Sequence, residues 1–327
     1  MNVYFKIRHY LAPYFLTKPS YKFNPDSKGF NLNYWVKGYA QNVMKGKWAV
    51  EDGIPLGLYT KDLDYGMEKR VHIAGLCEYC FANIELDLEM NNDVVLDFLS
   101  EYIVHEKNES KGFSYSFWRT FTDPENGLYY VHGMGQGQML SLFSRYYQKT
   151  NKEEYKDLLV SISNSYLVDF NHINGFVNLE GGTFFEEYPK GQATDSKVFN
   201  GWMLAIIGLH DYLKVATPES DQNLDKKKAL YHQSVQTLIK NLKNYNLYYW
   251  TTYCQPKSIL NICSIHYQIQ HISLLQTLFQ LTGEKAFKKY SKTLLFQFYN
   301  PLFRILSLIS KLLISNILKY GRLYKSS

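Results

Sequence analysis

The chain has 327 residues, of which 46% are hydrophobic, 20% charged and nine are proline, a globular composition that can fill one large core or two smaller ones. Its net charge of +6 comes without a dense Lys/Arg block, which argues against a nucleic-acid binder and suits an anionic ligand or a membrane surface. Aromatic residues make up 17% of the chain, led by 29 tyrosines, whose flat rings with polar tips suit wet clefts as well as cores.

The opening stretch, "MNVYFKIRHYLAPYF", is interrupted by Lys6, Arg8, His9 and Pro13, so no secretory signal is expected. No uncharged run of membrane-spanning length follows elsewhere. Residues 1–69, rich in Gly, Asn and Tyr, read as a small irregular or β-containing lead-in to a helical body over 70–299. Cys77 and Cys80 form a lone CxxC, and Cys254 and Cys263 stand eight residues apart. A structural zinc site pairs two short spacings, so no metal is expected, and the four thiols read as reduced, in a cytoplasmic compartment.

From about residue 70, apolar residues recur at three- and four-residue steps over 71–90, 93–105, 133–149, 152–169, 197–215, 226–243, 265–281 and 284–299. The segments come in pairs joined by short polar turns. Two joints share a signature: Thr150-Asn151 and Thr282-Gly283 are each followed by an aromatic five residues after the Thr, Tyr155 and Phe287. Asn or Gly there suits a left-handed cap that ends one helix, and the aromatic anchors the next. Short strand-like stretches break the rhythm: "GFSYSFW" (112–118), "NLYYWTTY" (246–253), and "GFVNLEGGTFFEEYP" (175–189), a hairpin turning at Gly181-Gly182. The expectation is a mainly α fold, a ring of helical hairpins with strand-like loops at one end.

The last 28 residues, "NPLFRILSLISKLLISNILKYGRLYKSS", form an amphipathic segment. Arg304, Ser307, Lys311, Ser315, Lys319 and Arg322 make one polar, basic stripe, and Leu, Ile and Phe fill the other face. That pattern fits a helix lying in an anionic membrane interface, with the cations meeting headgroups, and equally a last helix packed on the core.

Adjacent Glu186 and Glu187 stand between two Phe and a Tyr-Pro pair. Pro189 biases Tyr188 to extended backbone, so the two carboxylates are expected on opposite sides, one facing solvent and one an aromatic-lined cleft. A carboxylate held against aromatic surface loses hydration, which moves it towards a usable base. A surface dyad is the plain alternative.

Four stretches in order, "GMGQGQMLSLFSRYYQKT" (133–150), "FFEEYP" (184–189), "FNGWMLAIIGLHDY" (199–212) and "YQIQHISLLQTL" (267–278), resemble the D-glucuronyl C5-epimerase family, which converts glucuronate to iduronate within a heparosan-like polysaccharide. "IPLGLYTKDLDYGMEKRVHIAG" (54–75) looks like the family's opening segment. The resemblance implies an α/α toroid, a uronate-containing glycan as substrate and no cofactor. It places Glu187, Tyr188, Tyr253 and Tyr267 in the active site. Gln136 and Asn200 read as contacts to sugar hydroxyls or as helix-end polar groups, and His271 as a substrate contact, a partner that orients Tyr267, or a core histidine. Two departures stand out: the family's Tyr-Asp-Leu-Arg is Tyr253-Cys254-Gln255-Pro256 here, and the His that follows the family's last Tyr is Gln268. "GMGQGQ" lacks the strand and Gly-rich turn of a dinucleotide site, so NAD is not expected.

The chemistry fits these residue types. The C5 proton of a uronate is barely acidic, and its removal needs a base, a proton donor for the other face, and donors to the carboxylate. A buried Glu can be the base and a phenol the donor. A polysaccharide lyase or glycoside hydrolase on the same toroid, and a glycan-binding homologue without catalysis, are the competing readings. Attachment to the inner face of the plasma membrane through 300–327 is expected of the tail, and a homodimer is left open.

Overall fold

The two repeated joints behave as helix-ending caps. Asn151 (φ 52°) and Gly283 (φ 72°) both adopt left-handed backbone, their N–H groups closing on Tyr147 and Phe279 carbonyls, and the following aromatics, Tyr155 and Phe287, are buried. In this computed structural model the described residues are 14–15, 49–51, 54–56, 73–86, 92–118, 121–122, 129–172, 174–187, 197–255 and 260–323. The chain divides into two compact units. One comprises Met1–Tyr21, Ser196–Asn200 and Leu238–Ser327, the other Lys22–Asp195 and Gly201–Thr237.

The larger unit carries helices α1 (Ile73–Leu86), α2 (Asn92–Glu101), α3 (Gly133–Thr150) and α4 (Glu154–Asn164). It also holds most of α5 (Phe199–Val215) and of α6 (Leu224–Asn241). Among the described residues, four two-stranded antiparallel ladders accompany them: β1 (Ala49–Glu51) with β2 (Ile54–Leu56), β3 (Ile103–Asn108) with β4 (Phe113–Trp118), β5 (Phe121–Thr122) with β6 (Tyr129–Tyr130), and β7 (Val177–Asn178) with β8 (Phe184–Phe185). β1 and β2, with residues 14–15, are the described part of the lead-in. Helix α2 stops short of the expected residue 105. Tyr102 N–H turns back to the Leu99 carbonyl, and the β-branched pair Ile103-Val104 starts a strand in register with Trp118 and Phe117.

Helices α3 and α5 meet glycine to glycine. A Cβ on Gly208 would stand 2.5 Å from the Gly137 Cα, and one on Gly137 would stand 2.6 Å from the Ala205 Cα. Both obstacles are backbone, so no rotamer relieves them. Gly208→Ala is therefore expected to cost about 1–3 kcal/mol, read as a lower thermal midpoint. An unchanged midpoint would mean that the helices do not approach this closely.

The smaller unit holds α7 (Ile265–Thr282), α8 (Lys285–Tyr299) and α9 (Pro301–Leu323). "NLYYWTTY" is not the expected continuous strand. The Asn246 side chain accepts from Tyr248 N–H, Tyr248 takes φ 65°, and Leu247 N–H bonds the Trp250 carbonyl, so the chain reverses and keeps only single bridges, Asn246 to Thr251 and Thr252 to Ile262. The stripe on α9 also differs from expectation. Arg304 donates to the Phe298 and Tyr14 carbonyls at 2.5 and 3.1 Å and covers the Phe298 ring, Ser307 is buried, and Lys311 donates to the Ile262 carbonyl at 3.2 Å. Carbonyls at helix ends and loops need donors, and these long cations supply them from within, leaving the apolar face of α9 outward.

Candidate active site

Glu186 and Glu187 sit on the return of the β7–β8 hairpin, where Gly181 (φ 75°) and Gly182 (φ 145°) make the turn that side chains rarely allow. The strand docks on the start of α3: Gly133 N–H donates to the Glu186 carbonyl at 2.8 Å, and Glu186 N–H to the Phe176 carbonyl at 2.8 Å. A side chain at 133 would meet that carbonyl and the Phe176 ring, so glycine is what lets the two segments touch. His132 caps α3, its Nδ1 accepting from Gly135 N–H at 2.9 Å.

The docking overturns one expectation. Neither carboxylate faces solvent: Glu186 is 1% exposed and Glu187 7%. The strand lies between packed elements on both sides, so alternation carries its residues to two interiors rather than to an interior and a surface. Asn178 Nδ2 donates to Glu186 Oε1 at 3.0 Å. The Glu187 carboxylate lies over Gly201 in α5, where a Cβ would collide with its Oε2 and stand 3.3 Å from its own Cβ. Gln136, one turn into α3, is fully buried, and neither atom of its amide has a hydrogen-bond partner among the described residues. A buried amide in that state is costly unless something with hydroxyls or carbonyls meets it.

In the smaller unit, the rings of Tyr253 and Tyr267 lie 4.7 Å apart and tilted by 65°. Tyr253 is pinned by its backbone, which donates to the Asn261 carbonyl at 2.7 Å and accepts from Phe199 N–H at 2.9 Å. Tyr267 stands in the first turn of α7, capped by Ser264, with 37% of its surface exposed. Phe199 stacks on Tyr245 at 4.1 Å and edge-on to His271 at 4.6 Å. His271 is fully buried, and burial pushes its pKa down to about 3, so the ring is neutral at any ordinary pH. Its Nδ1 lies 3.3 Å from Thr251 Oγ1 and 3.6 Å from Cys263 Sγ. Gln268, the departure from the family's His, is buried in a chain of side chains, bonding Thr251, the Leu294 carbonyl and Gln297.

The structure thus brings Tyr253 and Tyr267 together, and places Glu187 and Gln136 in the larger unit. Asn200, buried in the first turn of α5, belongs to the smaller one. Tyr188 and Pro256 lie outside the described residues. Sequence reasoning missed Gly201, His132 and Asn178. The signal for Gly201 was present: a glycine in the first turn of a helix costs stability unless something must come close. A cleft of about 490 Å³ in the larger unit is lined by Lys111, Phe113, Asp169 and Lys226 among others, and, among the described residues, by none of those expected in the site. No His, Cys, Asp or Glu cluster among the described residues is arranged to hold a metal. None of the four cysteines is in a disulfide and all are buried, and burial raises Cys77 and Cys80 well above the ordinary thiol range.

Residues 107–295 match the family model described as D-glucuronyl C5-epimerase C-terminus. No curated protein matches the chain by sequence. Among solved structures, cellobiose 2-epimerase from Bacillus thermoamylovorans B4167 is similar with a TM-score of 0.50 and 13% identity, over 80% of this chain and 72% of that chain. The similarity shows the fold class, a mainly helical α/α toroid.

Proposed function

Because the chain belongs to the D-glucuronyl C5-epimerase C-terminal family, and so among carbohydrate epimerases, we propose that it interconverts D-glucuronate and L-iduronate residues in a glycan. The observation that carries this reading is Glu187, a buried carboxylate for which α5 leaves room by having glycine at 201. In the proposed reaction Glu187 takes the C5 proton, and the electron pair moves into the substrate carboxylate to give an enediolate. Tyr267 returns a proton to the other face of that carbon, and Tyr253, with Tyr188, donates hydrogen bonds to the charge developing on the carboxylate. Gln136 and Asn200 hold sugar hydroxyls. The phenols also stand in for the Arg that the family's Tyr-Asp-Leu-Arg would bring, replaced here by Pro256.

The reading is tested by incubating candidate uronate glycans with the protein in deuterated water and following carbon 5 by NMR. The wild type is expected to exchange the C5 proton and to form iduronate. Tyr267→Phe keeps the ring but not the hydroxyl, so it should form little product while still exchanging deuterium slowly into unreacted glucuronate, because Glu187 can remove a proton and return a solvent-derived one on the same face. No exchange by the wild type, or an ultraviolet signal of unsaturated uronate that marks a lyase, would remove this function. Wild-type epimerisation by Tyr267→Phe would remove the role given to that phenol.

A further inference from the structure

The last helix turns its polar side inward and its apolar side out. Arg304, Ser307 and Lys311 are spent on bonds within the smaller unit, as described, while Leu302, Ile305, Leu306, Ile309, Leu312 and Leu313 are all at least 40% exposed. The surface continues into α8. Phe296 and Tyr299 are 63% and 58% exposed, and Phe296 meets Phe303 edge-on at the joint between the helices. Further back on the same side of α8, at helical spacing from these aromatics, stand the exposed Lys285, Lys289 and Lys292. An outward ridge of Leu and Ile, bordered by aromatics and then by lysines, is therefore built on one continuous stretch of chain.

Charge says what covers it. Residues 285–327 hold nine Lys/Arg and no Asp or Glu, a charge of +9. The chain as a whole is +6, so residues 1–284 hold 27 Lys/Arg against 30 Asp/Glu and are −3. All of the excess positive charge is in the segment that carries the apolar ridge. A second copy of the chain docked through this face would set +9 against +9, whereas an anionic bilayer would meet both features at once: acyl chains for the ridge, the headgroup boundary for Phe296 and Tyr299, and phosphates for the lysines. No helix among the described residues is long and apolar enough to cross a membrane, so α9 lies along the surface.

We propose that α9, with the exposed side of α8, docks the protein on the surface of an anionic lipid bilayer, the Leu/Ile face inserted at the boundary between headgroups and acyl chains. The cations that serve the headgroups are those of α8, in place of Arg304 and Lys311.

The test is flotation of the full chain with vesicles of phosphatidylglycerol and phosphatidylcholine, and with phosphatidylcholine alone. The full chain should float with the anionic vesicles and be released by salt. Leu302→Ser/Leu306→Ser/Leu313→Ser should lower the bound fraction about tenfold or more, by removing apolar area that is exposed in the free protein. Lys285→Gln/Lys289→Gln/Lys292→Gln should give a similar loss on anionic vesicles and change nothing on neutral ones. Circular dichroism of both triple variants should match the wild type, since the altered side chains are on the surface. A full chain left at the bottom of the gradient with anionic vesicles overturns the proposal, as does equal flotation of the wild type and both variants. So does a concentration-dependent dimer, seen by sedimentation, that the Leu variant abolishes, which would assign the ridge to a second copy.

Discussion

Glu187→Gln is expected to lower epimerase turnover by about 100-fold or more, the range for a lost general base, while Glu186→Gln stays within a few-fold of the wild type. Composition does not separate the two positions, and burial does not either, since both carboxylates are inside. Their surroundings do. Glu186 accepts from Asn178, and a glutamine there keeps an oxygen for that bond, so the variant should fold and work. Glu187 lies against Gly201, where α5 has no side chain. That glycine gives a second arm to the test. Gly201→Ala would place a methyl on the Glu187 carboxylate and displace it, so turnover should fall about tenfold with little change in substrate affinity, because misplacing a reacting group acts on the transition state. Steady-state kinetics on a uronate glycan reads all three variants. If Glu186→Gln were the more damaging, the base would have to be reassigned.

The ends of α3 and α7 were readable because two independent signals agreed there. Apolar spacing gave the helices, and Thr-Asn and Thr-Gly gave their ends, where Asn151 and Gly283 take the left-handed backbone expected of them. The errors came where side chains competed with backbone pairing or where packing reversed a face. Nothing in "NLYYWTTY" except Asn246 warns that an Asx bond will fold the strand back on itself. The alternation at 184–187 correctly separates two sides of a strand but cannot tell that both sides are interiors, since that depends on Gly133 in another element. On α9 the stripe itself was correct and its direction was not. Hydrophobic periodicity defines two faces of a helix and is silent on which one the rest of the protein will satisfy with carbonyls. In the candidate site, the carboxylate and phenols were legible as residue types in motifs, whereas Gly201 and His132 act through space they leave or a cap they make.

Asp221→Asn should be among the most damaging single changes to stability, about 3–5 kcal/mol near neutral pH, because it leaves a buried lysine without its counter-charge. Lys227 in α6 is fully buried, with Nζ 2.8 Å from Asp221 Oδ2, 2.5 Å from Ser163 Oγ, and 5.1 Å from the centre of the Tyr212 ring. Tyr212 also donates its hydroxyl to Asp221 Oδ2 at 2.7 Å, and Asn223 N–H donates to Oδ1 at 2.9 Å, so one carboxylate ties α5, α6 and the turn between them. Burial pushes the Lys227 pKa down to about 8, even though the hydrogen bond and charge of Asp221 pull it up. The sign of the pH effect follows. Between about 8 and the ordinary lysine value of 10.5, the unfolded chain holds the proton that the folded one has released, so this site's contribution to stability rises with pH across that window. Without Asp221 the folded pKa drops further and the window widens downward. The penalty of Asp221→Asn should therefore shrink as pH is raised from about 7 to about 10, as the lysine that needed the counter-charge becomes neutral. Urea midpoints of the wild type and variant at the two pH values measure this. A penalty below about 1 kcal/mol at neutral pH, or one that grows towards pH 10, would mean that the pair is not buried as an ion pair.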